Sequence, residues 1–240
     1  MRNVMAMLKT VMALKTSYEE LIDRDPGVPG MMLVSGEAGS GKTTGVRWLA
    51  EETNGVMIRA MSVDRQLTLL TRIMDAVGQS LVSHRGNGVL IEAIAESLRR
   101  SKRTLFVDEC DHLFSTPKLL ETLRDIHDIS DMPVVMIGHS GIERKMVHRK
   151  QLYSRISHWC EFLPLDLEDT GVMARTLSTV RLDEELLEYL HQQCNGNARL
   201  MMVAMSRIEQ FAKANSKRVV SRAEWGKRKL FLNPHARIAA

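Results

Sequence analysis

Gly36-Glu37-Ala38-Gly39-Ser40-Gly41-Lys42-Thr43 decides how the rest of this 240-residue chain is read. A glycine, four residues and then Gly-Lys-Thr is the pattern of a loop that cradles phosphates. Its glycines let successive backbone N–H groups converge on one anion with no Cβ in the way. Lys42 then reaches the β- and γ-phosphates, the hydroxyl of Thr43 is a magnesium ligand, and Thr44 follows on the same turn. The flanks agree with the string. Met31-Met32-Leu33-Val34 enters the loop as a buried strand would, and Thr43–Glu52 leaves it with helical patterning. The pattern predicts that residues 36–44 bind a nucleoside triphosphate with Mg²⁺; the family resemblance given below implies that the nucleotide is ATP.

Further apolar runs follow at Val56-Met57-Ile58, Leu105-Phe106-Val107 and Pro133–Ile137. They lack period-2 alternation, and helical stretches separate them: Asp64–Val77, one ending near Ser101, and Pro117–Ile129. Pro117 suits a first helical position. Strands of this kind belong to a parallel sheet covered on both faces. After Phe162-Leu163-Pro164 the pattern changes to helices alone, over Glu168–Thr179, Asp183–Gln193, Ala198–Ala214 and Arg222–Leu230. The fold class read here is α/β, a parallel sheet flanked by helices and followed by a small all-helical lid. The expected domains are 1–165 for nucleotide binding and 166–240 for the lid with a basic C-terminal segment.

Composition narrows the classes. Hydrophobic residues make up 44% of the chain, enough for a core, and no apolar run approaches the ~20 residues that span a bilayer. Met1–Thr16 lacks the continuous apolar centre and cleavage site of a secretory signal. Val4, Leu8, Val11, Met12, Tyr18 and Leu21 instead recur at helical spacing, which predicts an amphipathic helix over Met1–Asp23. Cys110, Cys160 and Cys194 form no metal-ligand spacing and read as buried thiols of a reducing cytoplasm. The net charge of +4 is unevenly spread. Lys213–Ala240 carries eight basic residues against Glu224, and Ser140–Arg155 carries five against Glu143. Two basic segments on an otherwise acidic chain suit a polyanionic partner, nucleic acid first, and equally suit solvated surface.

Leu105-Phe106-Val107-Asp108-Glu109 supplies the partner that the phosphate loop needs. A carboxylate ending a buried strand holds Mg²⁺ or its waters, the role of Asp108. Glu109 is then placed to polarise a water for attack on the γ-phosphate. An adjacent glutamate favours hydrolysis over retention of nucleotide.

The whole set resembles the AAA+ ATPases, which carry a phosphate loop, a strand ending Asp-Glu, a polar sensor after the next strand, an arginine near the domain end and a helical lid. On that resemblance His139 or Ser140, closing Val134-Val135-Met136-Ile137-Gly138, is the first sensor, with His139 preferred. Arg155 in Gln151-Leu152-Tyr153-Ser154-Arg155-Ile156 is the arginine finger that reaches a neighbouring subunit's γ-phosphate, with Arg144 and Arg149 as rivals. Gly196-Asn197-Ala198-Arg199 resembles the initiator-like segment that opens a lid helix, which makes Arg199 the second sensor.

Within that family the chain is most similar to the transposition helpers, the phage Mu B protein and IstB-like target-DNA activators. Gly36–Thr43, Asp108-Glu109-Cys110-Asp111-His112-Leu113, Met132–Gly138, Ser154-Arg155-Ile156 and the compact lid carry the similarity over roughly residues 1–215. It implies a homo-oligomeric ring or helical filament on double-stranded DNA, a transposase as partner, and the cytoplasm of a bacterial host carrying a phage or mobile element. Only 35 residues precede Gly36, whereas the Mu protein has a helix-turn-helix domain there. Arg65, Arg72, His84 and Arg85 are the DNA-contact candidates, with Lys213–Lys229 a second patch. A helicase loader or replication initiator, or an NTPase switch acting on protein alone, would share the same core.

Overall fold

The structure is a computed structural model that describes residues 1–79 and 86–231. The chain forms two compact units. Ala13–Gly36 and Lys42–Glu161 make the sheet unit, while Met1–Met12, Glu37–Gly41 and the described residues from Phe162 onward make the helical unit.

In chain order the elements before the last sheet strand are α1 (Lys9–Ile22), β1 (Met31–Gly36), α2 (Lys42–Glu52), β2 (Val56–Arg59), α3 (Gln66–Ala76), α4 (Asn87–Ser101) and β3 (Leu105–Asp108). A 3₁₀ turn (Cys110–Ser115), α5 (Pro117–Ser130), β4 (Val134–Ile137), α6 (Ile142–Val147), α7 (Lys150–Tyr153) and β5 (Ile156–Phe162) complete the series. The strands lie in the order β2-β3-β4-β1-β5. The β1–β4, β2–β3 and β3–β4 pairings are parallel. Every residue of β1, β3 and β4 is buried. Their unbroken apolar runs are therefore explained by two covered faces.

One face packs Met31, Leu33, Val107 and Met136 against Leu70, Ile73, Ile94 and Ile126 of α3, α4 and α5. On the other face Phe106 stacks on Tyr18 of α1, with ring centroids 5.8 Å apart. The Tyr18 hydroxyl meets Thr104 Oγ1 at 2.8 Å inside the core, so its polar end is satisfied. All three cysteines are buried free thiols. Burial pushes the Cys160 thiol up to about 11 and that of Cys194 to about 12.

The helical unit contains α8 (Leu167–Leu177), β6 (Arg181–Leu182), α9 (Glu184–Cys194), α10 (Ala198–Ala214), β7 (Val219–Val220) and α11 (Arg222–Trp225). Its helix starts are fixed by short polar side chains. Asp166, Asp183, Asn197 and Ser221 each accept a backbone N–H three residues on. β6 and β7 pair in parallel, so the region after Glu168 is not helical throughout. Two-residue strands are too short to show alternation. The first helix also begins at Lys9 rather than at Met1, and α11 ends at Trp225 rather than near Leu230.

His127 on α5 is a buried polar support of the sheet unit. Its Nε2 accepts the Gly30 N–H at 3.2 Å, and Nδ1, 2.8 Å from the Met132 carbonyl, donates to it. Only the neutral imidazole serves both bonds. Burial, the main cause, holds its pKa below the ordinary histidine value. The unfolded chain therefore takes up a proton that the fold refuses, so this contribution is full above pH ~6.5 and lost as pH falls through the lower folded value. Denaturant unfolding from pH 7 to pH 5 should show wild type losing stability more steeply than His127→Ala. The variant should also be weaker by about 2 kcal/mol at pH 7, because the Gly30 N–H loses its partner. Parallel pH profiles would remove His127 from this role.

Candidate nucleotide-binding site

In the sheet unit, β1 ends at Gly36 and α2 begins with Lys42 and Thr43. Lys42 is buried, and its ammonium donates to the Gly36 carbonyl at 2.6 Å. Thr43 Oγ1 lies 3.5 Å from Asp108 Oδ1, at the limit of a hydrogen bond. Asp108 closes β3 and also accepts the Glu109 N–H at 3.0 Å, which fixes the carboxylate. A cavity of about 360 Å³ is lined by Thr43, Arg47, Glu51, Arg59 and Asp108. The paired hydroxyl and carboxylate are hard oxygen donors and fit Mg²⁺, which takes few protein ligands and fills its shell with phosphate oxygens and water.

Glu109 has a left-handed backbone, φ 57°. Its carboxylate receives Arg59 Nη2 at 3.1 Å and lies 3.5 Å from His139 Nε2. Arg59 was invisible as a site residue in the sequence. It arrives because β2 pairs with β3 in a register that sets Arg59 opposite Asp108. His139 follows β4, and its backbone N–H donates to Asp111. Ser140 donates its N–H to the Gly36 carbonyl at 3.0 Å and lines a separate cavity with Arg144 and Trp159. Of the two sensor candidates, His139 is the one beside Glu109.

The middle of the loop, Glu37–Gly41, belongs to the helical unit. Gly39 and Gly41 have φ of +82° and +96°, values that strain any residue with a side chain. A Cβ on Gly39 would lie 2.6 Å from Asn197 Oδ1. Asn197 caps α10 and also donates its Nδ2 to the Ala38 carbonyl at 2.9 Å. The Arg199 N–H donates to the Gly39 carbonyl at 3.1 Å. Gly196-Asn197-Ala198-Arg199 is thus the segment that grips residues 38 and 39. The Ser40 hydroxyl is buried without a hydrogen-bond partner, although its N–H is held by the Glu37 carbonyl. An orphaned hydroxyl in a glycine-shaped turn fits a loop made to meet an anion.

Other candidates fall elsewhere. Arg155 forks Asp128 through Nε at 2.9 Å and Nη2 at 3.1 Å on the surface. Arg72 grips Asp64 with both terminal nitrogens, each at 2.8 Å. Asp64 is the reason: its side chain is only 1% exposed. Burial alone would raise its pKa, but the Arg72 fork, the Met61 N–H and the Thr68 hydroxyl hold it below the ordinary range. The helical stretch read from Asp64 begins only at Gln66. The N-cap is Arg65, an exposed residue whose N–H is taken by Thr68 Oγ1. His84 and Arg85 lie outside the described residues.

The profile of the AAA domain family matches residues 25–146, about half of the chain and the part that holds the carboxylate pair. This chain belongs to the AAA family of nucleotide-binding ATPase domains. General secretion pathway protein A of Aeromonas hydrophila is 28% identical over 78% of this chain and 38% of its own length. A potential ATP-binding protein of Staphylococcus aureus is 41% identical over 28% of this chain and 24% of its own. The chain thus spans well under half of either relative. Among solved structures, the Orc2 protein of Aeropyrum pernix (ADPNP–ADP complexes) superposes with a TM-score of 0.72 at 17% identity, covering 93% of this chain and 68% of that one. The Orc1 protein of the same organism, in complex with DNA, gives 0.66 at 17%, over 93% and 64%. The shared fold is the α/β class read from the sequence. Among the described residues no helix is long and apolar enough to cross a membrane.

Proposed function

We propose that this chain is a magnesium-dependent ATPase whose nucleotide state controls assembly on duplex DNA, where it recruits and stimulates a transposase. The observation that carries the chemistry is Thr43 beside Asp108, with Glu109 next in the chain. Thr43 and Asp108 would hold a magnesium ion, which would neutralise phosphate charge. Lys42 and the loop amides orient the triphosphate. Glu109 takes the proton from the attacking water, held in place by His139. Arg199, whose N–H donates to the Gly39 carbonyl, would be the second sensor of the γ-phosphate on this reading.

DNA would be held through phosphates, with Arg65 and the basic Lys213–Lys229 segment as contacts on this chain. Binding of duplex DNA should then require ATP or a non-hydrolysable analogue, fail with ADP, and weaken steeply with salt. Electron microscopy of the product should show rings or filaments. Nucleotide-independent binding, or none, would sink the DNA half of the reading. A second reading, an NTPase switch working on protein alone, is favoured by the similarity to the secretion protein, and it predicts no nucleotide-dependent DNA binding. An initiator or helicase loader, supported by the fold shared with Orc1, would bind DNA but associate with a replicative helicase instead of a transposase.

Arg155 acts in trans on this proposal. Its pair with Asp128 is solvent-accessible, worth ~1 kcal/mol or less, so exchanging Asp128 for a phosphate is inexpensive. Arg155→Ala should cut turnover by roughly a hundredfold or more. Mixing it with Lys42→Ala subunits should restore some activity at composite interfaces. Absence of recovery at every ratio would rule out the trans role.

A further inference from the structure

Asp111 lies three residues after Asp108, its side chain only 14% exposed. It sits on the 3₁₀ turn that follows Glu109. Its Oδ2 accepts the backbone N–H of His139 at 2.6 Å, 28 residues away. Its Oδ1 faces Lys145 Nζ of α6 at 4.0 Å. The approach is closed around it: a Cβ on Gly138 would lie 2.8 Å from the same Oδ2. A charged acceptor to a backbone N–H is a strong, short bond. It ties the segment after β4, and with it the imidazole of His139, to the turn that carries Glu109.

We propose that Asp111 is a positioning residue for ATP hydrolysis, acting through His139 to hold that imidazole 3.5 Å from the Glu109 carboxylate. The order of the contacts gives a relay of position rather than of protons. Asp111 fixes His139, His139 orients Glu109, and Glu109 meets the water. No proton moves to Asp111, because the group it holds is an amide N–H. This inference rests on the hydrolytic reading of Glu109, so wild type and Glu109→Gln are run alongside. If Glu109→Gln turns over like wild type, the hydrolytic reading itself fails.

Given that Glu109→Gln is slow, Asp111→Ala should lower kcat roughly tenfold or more while leaving KM for ATP within about twofold, since geometry but not binding is lost. Asp111→Asn keeps an oxygen that can accept the His139 N–H and should retain most of kcat. In a His139→Ala background, Asp111→Ala should cost little more, because there is no imidazole left to place. Should Asp111→Ala fail to fold, Asp111→Glu carries the test: one extra methylene displaces the carboxylate, and the same loss of kcat at unchanged KM is expected. Wild-type kcat in the folded variant overturns the proposal. So does independent multiplication of the Asp111 and His139 effects, or an equal loss in Asp111→Asn and Asp111→Ala.

Discussion

Glu109→Gln should bind ATP as tightly as wild type and hydrolyse it about 10²–10⁴-fold more slowly, the usual worth of a positioned general base. Glutamine keeps the size of the side chain and can still accept from Arg59 Nη2, which stands 3.1 Å from the present carboxylate. It cannot take a proton from water. The left-handed backbone at Glu109 is unaffected by the exchange, because it is set by the turn between β3 and the 3₁₀ segment. The Arg59 side chain is 68% exposed, so the pair is weak and the carboxylate can leave it at little cost. Single-turnover hydrolysis beside equilibrium nucleotide binding separates the two quantities. Wild-type turnover in the variant would remove Glu109 from the chemistry, and lost affinity would make it a binding residue instead.

How far the sequence led depends on whether a feature is local. β1, β3 and β4 were legible because a central parallel strand is buried on both faces and must be apolar throughout. The loop at Gly36–Thr43 and the pair Asp108-Glu109 could be singled out because each is a run of adjacent residues. What remained hidden depends on pairing between distant segments. Arg59 meets Glu109 only through the β2–β3 register, Asn197 reaches Ala38 across 159 residues, and Asp111 holds a backbone group with no sequence signature at all. Arg72 looked like a surface cation because Asp64, the carboxylate that binds it, sits outside the helix, eight residues earlier. The strands at Arg181–Leu182 and Val219–Val220 are below the length at which alternation can be read.

Lys42→Ala should abolish measurable ATP binding while leaving the fold intact. The ammonium is buried and donates to the Gly36 carbonyl at 2.6 Å. Bound triphosphate would offer that ammonium phosphate oxygens, where each charged hydrogen bond is worth ~1.5–3 kcal/mol. Bonds to two phosphates therefore amount to ~3–6 kcal/mol, or roughly 10²–10⁴-fold in affinity. Removing the side chain also removes a desolvated charge, so the unliganded fold should lose little. Thermal unfolding reads both effects at once. At a nucleotide concentration a hundredfold above the wild-type Kd, wild type should gain about 2.7 kcal/mol, whereas the variant should gain ~0.4 kcal/mol or less and unfold close to unliganded wild type. If the variant is stabilised by ATP as wild type is, the phosphate-loop assignment fails. Because Glu109→Gln should show the full gain, the pair of variants assigns binding to one end of the site and bond cleavage to the other.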